Sequence, residues 1–210
     1  MSKEKIGHKI YLALQKYGWV VKDRRRSLVL APKLLLALLY ARIKDVPGVI
    51  AECGVAKGES LSALKLLSMS EGKNRPLYGF DTFKGLPAPV EGEHGKAGQF
   101  GYSEEDVRDY FRYVDVPMEG VTFISGDVHD TLASFKEPIA FLHVDVDLYE
   151  GHKVILERLW PQVSKGGIVL FDDYGNRWDG ATKAIDEFVA AHKLTLEHAP
   201  FAKRAYLLKG

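Results

Sequence analysis

The sequence predicts a single doubly wound α/β domain, with N-terminal helices and a mostly parallel, seven-stranded sheet that ends in an antiparallel β-hairpin. Three observations lead there. From about residue 47 onward, short apolar segments alternate with helical ones, the pattern of βα repeats. Polar residues stand where each apolar segment stops, as expected when ligands bind beyond the strand ends of an open sheet. The last two apolar segments are linked too closely for a parallel crossover, so they must pair antiparallel.

A chain of 210 residues can bury a full core as one domain. We read residues 1–46 as a helical extension and 47–210 as a Rossmann-like core. With 46% hydrophobic and 27% charged residues, the composition is that of a folded globular chain. The 29 basic residues nearly balance the 28 acidic ones, which leaves no broad positive field for nucleic acid or an anionic membrane. Lys22 to Arg26 is the one basic tract, read as a solvated loop between two helices. The single cysteine, Cys53, excludes an intramolecular disulfide framework and fits a reducing cytoplasm. The opening residues lack the apolar stretch of a signal peptide. The longest apolar run, Leu34 to Ala41, falls short of the ~20 residues a membrane span needs.

The elements follow in order. Two helices are expected before Lys44, with Pro32 in the first turn of the second. Val49–Cys53 is the first strand and opens into the loop Gly54 to Gly58; Ser60 to Met69 is a helix. Leu77–Asp81 is the second strand. Phe83 to about Tyr102, rich in glycine and proline, is a long loop of the kind that is usually functional or disordered, here an expected acceptor-side lid. Ser103 caps the next helix, with Asp106 in the capping-box position. Val121–Ser125 is the third strand, and Ile139 to Val146 the fourth, apolar enough to be buried on both faces. A helix runs on to Trp160, with Pro161 past its end. Gly166-Gly167 turns into a fifth strand, Ile168–Phe171, and Ala181 to His192 is the last helix. Leu194–Glu197 and Arg204–Leu208 form the hairpin. That hairpin ending is the mark of the S-adenosylmethionine-dependent methyltransferase sheet, which the pattern resembles.

The strand ends carry the chemistry. Gly54 allows a sharp turn after Glu52, and Gly58 allows a ligand to approach the following helix. The loop lacks the G-x-G-x-x-G spacing of a dinucleotide site. Asp81 can accept both ribose hydroxyls of an adenosine-containing ligand. Asp127 is placed to meet an adenine amino group, or else caps a helix. Asp145 and Asp147 end the fourth strand, and Asp172 and Asp173 the fifth. If those strands are neighbours, the carboxylates repel unless protons or a cation neutralise them. Oxygen donors of this kind suit Mg2+ before Ca2+ or Mn2+. His143 shares a face with Asp145 but lies deeper, in the core.

Glu52-Cys53-Gly54-Val55 with Gly58, Asp81 to Pro87, Asp145 to Glu150, and Asp172-Asp173-Tyr174 together resemble the macrocin O-methyltransferase family over about Pro47 to His192. The chain departs from the family pattern at Lys57-Gly58-Glu59, where a second glycine is usual. The resemblance implies a Mg2+-dependent enzyme that methylates a hydroxyl of a sugar or other natural product. Glu52, Gly54, Gly58, Ser60, Asp81 and Asp127 are then the candidate S-adenosylmethionine contacts. Asp145, Asp172 and Asp173 would hold the metal, with Asp145 also the candidate base. The expected partner is a small hydroxyl-bearing acceptor, not nucleic acid, and homo-oligomerisation is left open. Two other readings stand beside this one. One is a nicotinamide-dependent oxidoreductase, opposed by the missing glycine fingerprint. The other is a non-catalytic binding module, opposed by the retained acids.

Overall fold

Every residue of Val49–Cys53 is buried, which makes β1 a central strand. In the computed structural model, which describes residues 24–199 and 202–210, it lies in a seven-stranded sheet. The other strands are β2 (Leu77–Asp81), β3 (Val121–Ser125), β4 (Ile139–Val144), β5 (Val163–Phe171), β6 (Glu197–Ala199) and β7 (Arg204–Leu208), in the order β3-β2-β1-β4-β5-β7-β6. The first five are mutually parallel, and β7 runs antiparallel to both β5 and β6. The expected doubly wound sheet with a terminal hairpin is the one observed.

Alternation along the strands builds two cores. Ile50, Leu77, Phe141, Ile168 and Leu170 pack with α1 (Arg24–Tyr40), α2 (Glu59–Glu71) and α3 (Glu104–Tyr113). Val49, Ala51, Cys53, Leu142, Val144 and Phe171 pack on the other face with α5 (Tyr149–Leu159) and α6 (Asp179–Ala191). A four-residue helix, α4 (Val128–Thr131), follows β3. Ser103 and Asp106 form the expected capping box of α3.

Arg75 ties the entry segment to this frame. It donates to the carbonyls of Ile43, Lys44, Val46 and Gly48 and grips Glu71 through Nε and Nη2 at 2.9 and 3.0 Å. Tyr40 Oη donates to the same Glu71 at 2.8 Å.

Several boundaries differ from expectation. The first N-terminal helix lies outside the described residues. Arg24–Arg26 belong to α1 rather than to a loop, and Pro32 sits inside that helix. β4 stops at Val144, because the chain turns there to present its acids. β5 begins at Val163, with Gly166-Gly167 absorbed in a register shift against β4. Pro161 lies within a 3-10 turn at Trp160–Gln162. Leu194–Leu196 are irregular, and β6 starts only at Glu197. No helix among the described residues is long and apolar enough to cross a membrane.

Candidate active site

The turn after β1 is shaped by its neighbours. Gly54 has φ +86°, and a Cβ there would lie 1.8 Å from the Asp145 carbonyl oxygen. The loop therefore presses on the end of β4, where the Asp145 amide donates to Cys53 O at 2.9 Å. Asp81 fastens the same loop. Its Oδ2 accepts from the amides of Val55 and Ala56 at 2.7 and 3.0 Å, and its Oδ1 from Phe83 at 2.8 Å. A carboxylate offers about four acceptor directions, so this arrangement leaves one for a ribose hydroxyl rather than two.

Other candidates turn out to have structural partners. Gly58 begins α2 with φ +88°, and a Cβ would meet Val107 Cγ1 at 2.7 Å, so its small size admits α3. Ser60 Oγ accepts from Lys33 Nζ at 3.3 Å. Asp127 caps α4, accepting from the His129 amide at 2.9 Å, and meets His129 Nδ1 at 2.6 Å. Burial pushes the Asp127 carboxyl up, but these bonds to His129 outweigh it and hold it low.

Glu52, His143 and Asp172 share one face of the sheet, since Glu52 and His143 pair in register across β1 and β4. His143 is buried, with Nδ1 2.7 Å from Glu52 Oε1 and Nε2 3.7 Å from Asp172 Oδ1. Burial alone lowers its basicity, yet Asp172 and Glu52 together push it up to about 10. Glu52 is itself raised by burial, so the two groups compete for one proton. The second carboxylate, on the far side of the ring, places that proton on His143. Among the described residues, Glu52 Oε2 is a buried acceptor without a partner. Asp172 would be raised by burial, but His143 and Arg204 bring it down to about 2.

The remaining acids have fewer counter-charges. Burial, then the charges of Asp172 and Asp173, hold the Asp145 carboxyl well above its usual range. Burial and Asp173 push Asp147 up to about 8. Asp173 is also raised, first by burial. Its Oδ2 accepts from the Asp147 amide at 2.9 Å. His152, on α5, is buried with Nδ1 3.0 Å from the Leu148 carbonyl, so Nδ1 carries the hydrogen. Its Nε2 has no hydrogen-bond partner among the described residues and faces Asp173 Oδ2 at 3.6 Å.

Asp145, Asp172 and Asp173 do not converge as one set. Among the described residues, Asp145 belongs to two groups whose donor atoms all lie within 4.8 Å: His143–Asp145–Asp172 and Asp145–Asp147–Asp173. The second set offers only carboxylate oxygens, raised in proton affinity first by burial and then by their crowding, and fits a hard divalent ion. Asp147, two residues past Asp145, enters through a left-handed backbone at φ +63°. Spacing alone could not place it; the adjacent Asp145-x-Asp147 pair was the available signal.

The segment between β2 and α3 borders this region. Its Leu86 amide donates to Gln99 O at 2.8 Å and the Gly98 amide to Leu86 O at 2.9 Å, so the loop is folded on itself. Glu93 Oε1 accepts from the Tyr149 amide at 2.8 Å, at the start of α5. Gly95 abuts the Trp178 ring. A concavity of about 410 Å³ lies elsewhere, lined by Arg108, Phe111, Arg112 and Met118 along α3 and the segment that follows it.

A parallel sheet in this order, closed by an antiparallel hairpin and carrying acids at its strand ends, defines the class I methyltransferase architecture. The family model of macrocin-O-methyltransferase (TylF) matches residues 33–202, and the chain belongs to that family. It is 36% identical over 159 residues to demethyldecarbamoylnovobiocin O-methyltransferase of Streptomyces niveus, covering 70% of this chain and 60% of that protein. It is 32% identical over 140 residues to a tetracenomycin-C rhamnosyl 4'-O-methyltransferase of Streptomyces olivaceus, covering 61% of this chain and 54% of that protein. The chain thus spans less than two thirds of these relatives. Among solved structures, the O-methyltransferase NovP matches with a TM-score of 0.73 at 27% identity, over 83% of this chain and 79% of that one. The calicheamicin methyltransferase CalS11 matches with a TM-score of 0.76 at 26% identity, over 100% and 94%.

Proposed function

We propose that the chain is an S-adenosylmethionine-dependent, Mg2+-dependent O-methyltransferase acting on a hydroxyl of a sugar or other small molecule. The observation that carries this is the crowding of Asp145, Asp147 and Asp173 beside the Gly54–Asp81 turn. The first group asks for a cation, and the second can hold an adenosine ligand. The relatives' names support the reading, since they are O-methyltransferases acting on natural products and their sugars. With its one cysteine buried, we place the enzyme in the cytoplasm.

When bound, S-adenosylmethionine supplies the methyl group and Mg2+ supplies positive charge that makes an acceptor hydroxyl more acidic. In this reading Gly54 gives the donor room, Asp81 keeps one acceptor direction for its ribose, and Glu52 and Asp127 complete the donor side. Asp145, Asp173 and the neighbouring Asp147 hold the cation, with Asp172 at its edge. Asp145 takes the hydroxyl proton as the acceptor is methylated. Its carboxylate stands beside the bound cation, within reach of a hydroxyl held there. Tyr149, Tyr174 and Trp178 border the acceptor side, and fixing the acceptor against the donor supplies much of the rate.

Intact-mass screening of hydroxylated sugars and phenols, with donor and with or without Mg2+, tests the reading. The expected result is a gain of one methyl that stops after chelation and returns with Mg2+. Full turnover after exhaustive chelation overturns the metal dependence. No methyl transfer to any acceptor class overturns the activity.

A further inference from the structure

Asp172 is gripped by a side chain from the last described strand. Phe171 of β5 faces Ala205 of β7, so the next pair outward sets Arg204 opposite Asp172. Arg204 Nε and Nη2 donate to Asp172 Oδ1 and Oδ2 at 2.6 and 2.5 Å. Its Nη1 rests on the carbonyls of Ala202 and Lys203, both at 3.3 Å. A planar fork on both oxygens is the strongest side-chain hold available to a carboxylate. A Mg2+ ligand oxygen must come within about 2.1 Å of the ion. Sharing that oxygen with a guanidinium would put two cations in contact. Arg204 also lies beyond residues 33–202, the stretch that matches the family.

We propose that Arg204 is a built-in counter-cation that competes with a divalent ion for Asp172. The ion then enters through Asp145, Asp147 and Asp173, and recruits Asp172 only as Arg204 withdraws. Arg204 is the partner able to move, with 18% of its side chain exposed against 2% for His143. This proposal rests on the metal reading above, and its test separates the two.

Calorimetric titration with Mn2+ alone, without donor or acceptor, is run on wild type, Arg204→Gln, Asp172→Asn and the double variant, each checked by circular dichroism. Arg204→Gln should bind Mn2+ about tenfold more tightly than wild type. That gain should vanish in the Asp172→Asn background, where there is nothing left to release. Arg204→Lys, which keeps the charge but loses the fork, should fall between wild type and Arg204→Gln and serves if the glutamine variant is unfolded. Equal affinity in wild type and the Arg204 variants overturns the competition and leaves the metal reading standing. A gain that persists with Asp172→Asn also overturns it, by showing a simple field effect. No Mn2+ binding in any variant overturns both.

Discussion

Asp81 has two jobs on one carboxylate, and they can be separated by what each oxygen holds. Three backbone amides fasten the turn after β1, and one direction stays open to ligand. Asp81→Asn keeps the size but gives up the charge and part of the acceptor capacity. We expect S-adenosylhomocysteine to bind about tenfold more weakly, since a charge-assisted bond is worth ~1.5–3 kcal/mol. Calorimetry checks this, and an unchanged Kd would sink the ribose role. Asp81 and Gly54 were legible in the sequence because a strand end and its turn are local features. Arg204 was not, because its position opposite Asp172 depends on hairpin register, 32 residues away in the chain. The structural neighbours of Gly58 and Ser60, α3 and Lys33 of α1, were hidden for a related reason: neither contact leaves a trace in the loop's own pattern.

Among the elements, the segment between β2 and α3 gains most from being seen in place. Its composition suggested a featureless lid, yet it carries its own hydrogen bonds and a latch. Leu148 precedes α5 without a capping side chain, so Glu93 supplies the missing acceptor from 56 residues away. A carboxylate is favourable at a helix N-terminus, where free amides and the helix dipole both attract it. Gly180 makes the close approach possible, since a Cβ there would lie 2.4 Å from Glu93 Oε1. Glu93→Ala should therefore speed amide exchange across residues 83–102 about tenfold, and leave the central strands unchanged. Exchange rates equal to wild type would show that the loop is held by something else. The parallel strands themselves were legible, three of them to the residue, because short apolar and β-branched runs closed by polar or turn residues mark a strand whether it is buried, as β1 is, or at the sheet edge, as β3 is. The ends of β5 and β6 were not, since a bulge and an irregular approach follow from neighbours rather than from local pattern.

For the molecule as a whole, stability depends on a polar clasp at the amino ends of β1 and β2, away from the acids at the carboxyl ends. Arg75 first, then Tyr40 and Lys73, bring the Glu71 carboxyl down to about 2 despite burial. A depressed carboxylate stabilises the fold above its ordinary value near 4.5 and loses that contribution as pH falls toward 2. Glu71→Gln should cost about 2 kcal/mol at neutral pH and flatten the acid side of the stability curve between those limits. Denaturant titrations across that range measure it, and an unaltered slope would count against the clasp. Arg75→Met should cost about 3 kcal/mol or more, because it strands buried carbonyls and a buried acid together. The strand order has a further consequence for how the chain is made. β7, the last described strand to be synthesised, fills the place beside β5. Until it arrives, the apolar residues Ile168–Phe171 of β5 present an unpaired edge. Such an edge is a template for pairing with another chain. A product interrupted before Ala202 should therefore aggregate rather than merely lack activity, and solubility should return only when the final strand is restored.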